Sequence, residues 1–182
     1  MSATKTGARS PSIDSLVRRY FILALVVCGL DLAAKEAAVR ILGDGLSLMP
    51  TGRFGLVLVW NTASAGGVSL GPFTYHINVL VTVVALALVM AVLRSMASLD
   101  PRAVIALGLV SGGALGNLLS MLFGPPGVAD FLVLGLTADT TIVANLADLA
   151  LWLGSLALIP VIVNLYTMLQ AQRRDFRSPC RP

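Results

Sequence analysis

The sequence predicts an all-α integral membrane protein: a four-helix transmembrane bundle with a small outer-face β element between spans one and two. Three observations carry that prediction. Of 182 residues, 57% are hydrophobic and 12% charged, whereas a soluble domain is about 25% charged. The mean hydropathy is +0.87, and the apolar residues gather in four runs that each reach the ~20 residues a bilayer requires. The basic residues are shared unevenly between the segments that join those runs, as membrane topology requires. The length suits one compact unit and leaves no room for a large soluble domain.

Residues 1–16 are polar and read as a cytoplasmic tail; the four-span domain covers 17–170. Span one is 17–39. Its helical pattern runs unbroken through Asp31 and Lys35, which argues against a cleaved leader, and Val27 is too bulky for a lipoprotein-type cleavage site before Cys28. Residues 40–72 are turn-rich. Within them 46–72 read as the β element, with FGLVLVWNTASAGGVSLG giving a strand, a turn and a second strand. Span two is 75–95 and span three 102–123. A GPPG loop follows. Span four is 141–169, with Thr137 or Asp139 as its N-cap, and 171–182 form a basic tail.

Lys5, Arg9, Arg18, Arg19, Arg94, Arg102, Arg173, Arg174, Arg177 and Arg181 fall on one side of this arrangement, and only Lys35, Arg40 and Arg53 on the other. Both termini are therefore expected in the cytoplasm and the 1–2 and 3–4 segments near the outer face. The net charge of +4 is explained by topology and does not call for nucleic acid as a partner. Cys28 in an apolar run and Cys180 in a basic tail do not suggest a disulfide. A single His76 and the lack of CxxC leave no metal spacing.

The segment GVADFLVLGLTADTTIVANLADLALWLG, residues 127–154, holds Asp130, Asp139 and Asp148 in apolar surroundings. An ionised carboxylate there costs roughly 2.5 kcal/mol or more. Capping explains Asp139. Asp148 stands nine residues further on, about 13 Å down a helix, where no cap role is expected. Asn145, three residues before it, would share its face. Asp130 and Asp148 would lie about 27 Å apart on one helix, but Gly135 and Thr137–Thr140 break the segment, so Asp130 can fold back to meet Asp148. Two carboxylates meeting in a dry cavity share a proton and suit water activation. A polar knot between helices, or a proton or ion path through a transporter, stays open on these residues alone. Asp31 and Lys35, at i and i+4, read as an ion pair near a helix end or as a headgroup contact. Gly112, Gly113 and Gly116 before Asn117 leave a smooth surface for another helix or a substrate chain, and Asn61 reads as a turn residue.

Taken in order, these segments resemble lipoprotein signal peptidase, the bacterial signal peptidase II family. Asp31-Leu32-Ala33-Ala34-Lys35 is similar to its Asp-x-x-x-Lys motif, WNTASA at 60–65 to its Asn-x-Gly-x-Ala segment, and GGALGN at 112–117 to its third-span motif. GVADFL at 127–132 and ANLADLAL at 144–151 are similar to the two motifs that carry its aspartates. The resemblance implies a four-span aspartic endopeptidase of the bacterial inner membrane with Asp130 and Asp148 as catalytic dyad. It implies that Asn117 and Asn145 orient the dyad or the substrate backbone, and that Asp31, Lys35 and Asn61 surround the substrate and its lipid. The implied partners are membrane lipids and prolipoproteins, cut just before a diacylglyceryl-modified cysteine. No metal or organic cofactor is implied. The chain departs from the family pattern at Leu32, Ala63 and Gly66, and at Ser120 and Met121, where an Asp-Arg pair is usual. The lost pair leaves open a paralogue that binds lipoproteins or signal peptides without cutting them.

Overall fold

The computed structural model describes residues 11–43, 45–48, 53–64, 67–135 and 140–177. Four long helices and a three-stranded sheet follow in the order α1 (Ile13–Leu42), β1 (Phe54–Asn61), α2 (Thr74–Leu99), α3 (Ala103–Phe123), β2 (Val128–Gly135), β3 (Thr141–Ala144) and α4 (Leu146–Arg177). Among the described residues, Gly71–Leu99, Ala103–Phe123 and Leu146–Arg174 are long and apolar enough to cross a membrane. Helix α1 is also long enough, about 45 Å at 1.5 Å per residue, but carries more charge. Its start is fixed by Ser12, whose side chain accepts from the Ser15 amide, an N-cap that satisfies one orphan donor.

Helix α3 is the central element and packs on α1, α2 and α4. Small residues permit this. A Cβ at Gly112 would stand 2.6 Å from Val27 on α1, one at Gly113 2.5 Å from the Ala147 carbonyl on α4, and one at Gly116 2.5 Å from the Asp31 carboxylate. The glycines thus admit neighbouring helices, the close-packing role known from small-xxx-small faces. Leu80, Val81 and Leu88 on α2, and Leu153, Leu156 and Ile162 on α4, are exposed. Apolar faces of that extent suit lipid as solvent.

The sheet corrects two expectations. Among the described residues of 62–72 no second strand forms; they hold 3-10 geometry at Gly67 and the start of a 3-10 turn, Gly71–Phe73. Strand β1 instead pairs antiparallel with the distant β2, which pairs with β3. Span four also starts later than expected: 141–144 is strand β3, and α4 begins at Leu146. Thr-Ile-Val-Ala is a short β-branched run that periodicity assigns equally to strand or helix. A register shift between Leu56 and Val59 marks a bulge, which re-aims the side chains beyond it. Beyond it Val59 pairs with Asp130 and Asn61 with Val128. The turn into β2 needs glycine: Gly127 has φ +101° and a Cβ there would lie 2.9 Å from the Asn61 carbonyl. The sheet packs on the C-terminal part of α1 through Ala38, Leu42 and Phe131.

Candidate active site

The end of α3 near Asn117, the start of α4 and the β1–β2 pair converge on one polar cluster. Its architecture begins at the α4 N-terminus. The Asn145 carbonyl accepts from Leu149, the Asn145 side-chain oxygen accepts from the Asp148 amide (3.0 Å), and the Asp148 carboxylate accepts from the Asn145 amide (3.1 Å). This is a capping box with Asn as cap and Asp three residues on. It overturns two expectations. Asn145 precedes the helix instead of sharing its face, and Asp148 does have a cap role, because α4 starts at Leu146 and not near 141. Thr137 and Asp139 fall outside the described residues and before that start. The next free amide, Ala147, donates to Asp31 on α1 at 2.8 Å, so a carboxylate from another helix completes the cap.

Asp31 and Lys35 are both buried. The Lys35 ammonium donates to Asp31 and to the Asn117 oxygen, each at 2.6 Å. Lysine can only donate, so it fixes which end of the Asn117 amide faces it. The Asn117 nitrogen is thereby turned to Asp148, at 3.0 Å. The same logic operates twice more. The Asn145 oxygen is held by the Asp148 amide, leaving its nitrogen to donate to Asp130 at 2.6 Å. The Asn61 oxygen is held by the Ala63 amide (3.0 Å), leaving its nitrogen to donate to the other Asp130 oxygen at 2.9 Å. Three asparagines are each locked by a donor on the oxygen so that the NH2 points at a carboxylate.

All seven residues singled out in the sequence, Asp31, Lys35, Asn61, Asn117, Asp130, Asn145 and Asp148, therefore belong to one connected network. Each oxygen of Asp130 and Asp148 receives one neutral N–H donor, and the nearby cation is already engaged by Asp31. Each oxygen retains a lone pair for water or substrate. Asp130, on strand β2 and outside the helices, has its proton affinity raised. Burial is the main cause, the Asn61 and Asn145 hydrogen bonds oppose it, the Asp148 charge adds to it, and Lys35 offsets part of it.

Sequence reasoning missed Asn78 on the first turns of α2. Its side-chain oxygen accepts from the Ser64 hydroxyl at 2.6 Å, and its nitrogen donates to the Ala63 carbonyl at 3.4 Å. It thereby pins the turn that locks Asn61. A lone Asn in the apolar run YHINVLVTVV was the available signal. Two clefts of about 360 Å³ each open beside the network. One is lined by Asn61, Tyr75, Asn78 and Met121, the other by Lys35, Trp60, Ser120 and Phe123. Asp130 and Asp148 line neither cleft; the clefts reach the network through Asn61 and Lys35. The described residues contain no group of His, Cys, Asp and Glu able to hold a metal.

The family model described as signal peptidase (SPase) II matches residues 23–164. A lipoprotein signal peptidase of Maridesulfovibrio salexigens is 34% identical over 151 residues, covering 79% of this chain and 96% of its own. One from Rhodococcus jostii is 34% identical over 163 residues, covering 85% and 78%. A solved bacterial membrane enzyme shares the fold with a TM-score of 0.70 at 17% identity, covering 91% of this chain and 96% of its own. The chain belongs to the signal peptidase II family.

Proposed function

We propose that this protein is an intramembrane aspartic endopeptidase that removes the signal peptide from diacylglyceryl-cysteine prolipoproteins, with Asp130 and Asp148 as the dyad. The single observation that carries the reading is the pair of carboxylates joined through Asn145, each held by neutral donors from fixed asparagines. In the proposed reaction the pair holds one proton between its two carboxyls, since burial and mutual repulsion disfavour two charges. The ionised carboxylate takes a proton from a water, which attacks the scissile carbonyl. The protonated partner hydrogen-bonds that carbonyl oxygen and later delivers a proton to the leaving amine. Asn117 and Asn145 hold the dyad in register, and Lys35 and Asn61 face the clefts where substrate backbone and lipid would lie.

Helix α1 is proposed as the fourth span, with both termini in the cytoplasm and the site near the outer face. The exposed aromatics Trp60, Phe73, Tyr75 and Phe123 around the site support an interfacial depth for that end. The lost Asp-Arg pair favours a binding-only paralogue less than its sequence suggested. Ser120 and Met121 line the two clefts, and no hydrogen bond of the network passes through either. The test is the mass of the products after incubation with a diacylglyceryl-modified prolipoprotein. A single cut directly before the modified cysteine is expected. No cut by a folded protein that still retains the substrate would establish the binding-only reading instead.

A further inference from the structure

We propose that a groove between the N-terminal ends of α1 and α3 is a binding site for one anionic phospholipid. The groove, about 420 Å³, is lined by Arg19 and Leu23 of α1, by Val104 and Ile105 of α3, and by Arg102. It lies twelve residues from Asp31 along α1, about 18 Å, so it is separate from the candidate active site. Arg19 and Arg102 are both exposed. Neither guanidinium has an ion-pair or hydrogen-bond partner among the described residues. The described acids nearby do not neutralise them. Asp14 pairs with Arg94 at 3.3 Å. Asp100 is buried and takes its hydrogen bonds from the Arg102 backbone amide and the Asn164 side chain.

Two free guanidiniums at the rim match a phosphate diester, to which arginine binds as a planar fork. The floor is apolar, and Ile105, 57% exposed, continues it onto the lipid-facing helix surface. A free phosphate ion would leave that floor in water. A phospholipid covers it with an acyl chain while its headgroup meets the arginines. A zwitterionic headgroup brings a compensating cation, so the charge at the rim selects an anionic lipid.

The test is native mass spectrometry of the full-length, delipidated protein titrated in detergent with phosphatidylglycerol, phosphatidylcholine or glycerol phosphate. One phosphatidylglycerol should be retained in preference to phosphatidylcholine, and glycerol phosphate should not compete. Arg19→Ala/Arg102→Ala should weaken phosphatidylglycerol retention about 30-fold, since each of the two basic residues near a lipid surface contributes about 1 kcal/mol. Arg94→Ala, whose charge is already met by Asp14, should leave it unchanged. The proposal is overturned by equal retention in the double variant, by equal affinity for the two lipids, by an equal loss in Arg94→Ala, or by competition from glycerol phosphate.

Discussion

Helix α1 carries two acid–base pairs of identical spacing, Asp31–Lys35 and Glu36–Arg40. Their bond lengths are nearly the same, 2.6 and 2.8 Å, and their environments are opposite. The first pair has side-chain exposures of 0% and 5%, the second 62% and 76%. What separates them is the neighbour each meets. Gly116 lets α3 close on Asp31, and the α4 N-terminus supplies it with the Ala147 amide. Among the described residues nothing comparable covers Glu36 and Arg40. In water such a pair contributes a few tenths of a kcal/mol, whereas removing one partner of a buried pair leaves a charge uncompensated. An ion pair on a helix is thus structural or incidental according to what packs over it.

Breaking the buried pair has the largest expected effect on stability. Lys35→Ala leaves Asp31 buried without its cation and the Asn117 oxygen without its donor. We expect a loss of about 3–5 kcal/mol, read as a fall in the unfolding midpoint in detergent. Replacing both partners, as Asp31→Asn with Lys35→Met, should recover much of that stability but not cleavage, because Asn117 is no longer oriented. Next comes Asn117→Ala, which removes the link between the buried pair and Asp148. Misplacing a reacting group by about 1 Å costs on the order of 10²-fold in rate, and single-turnover cleavage should fall by that amount while substrate retention persists.

A smaller effect follows from the raised proton affinity of Asp130. A carboxyl whose folded-state pKa exceeds its unfolded value binds its proton more tightly when folded. Its contribution is fully present below the unfolded pKa and is lost as pH rises through the folded pKa. The melting temperature of the parent should therefore carry a component that declines as pH rises from about 4, and Asp130→Asn should lack that component. A melting curve for Asp130→Asn with the same pH dependence as the parent would contradict the raised affinity. The smallest effect is the exposed control: Arg40→Ala should change stability by no more than ~0.5 kcal/mol and leave cleavage unchanged.

The polar residues of the site were legible because each interrupts an apolar segment, where an unexplained Asp, Lys or Asn must find a partner. Which partner each finds was not legible. The pairing of β1 with β2 joins residues some seventy positions apart, and no local pattern distinguishes it from a hairpin within 54–72. The start of α4 was misplaced for a related reason. Thr141–Ala144 fits either period, and the Asn-x-x-Asp at 145–148 is a capping signal that competes with Thr137 and Asp139. Once the helix begins at Leu146, Asp148 moves from the middle of a span to its first turn, and its contact with Asn145 changes from a shared face to a reciprocal cap. The buried and exposed ion pairs of α1 make the same point, since their sequence spacing is the same and only the packed neighbours differ.

The most direct measurement is cleavage of a diacylglyceryl-modified prolipoprotein, followed by gel shift, for the parent, Asp130→Asn and Asp148→Asn. If the two carboxylates share one proton and perform the hydrolysis together, the parent cuts. Each variant should then lose about 10²–10⁴-fold, the range for a positioned acid or base, and both should still retain substrate. A variant that cuts within a few-fold of the parent would show that its carboxylate only caps and braces the fold, and that the chemistry lies elsewhere.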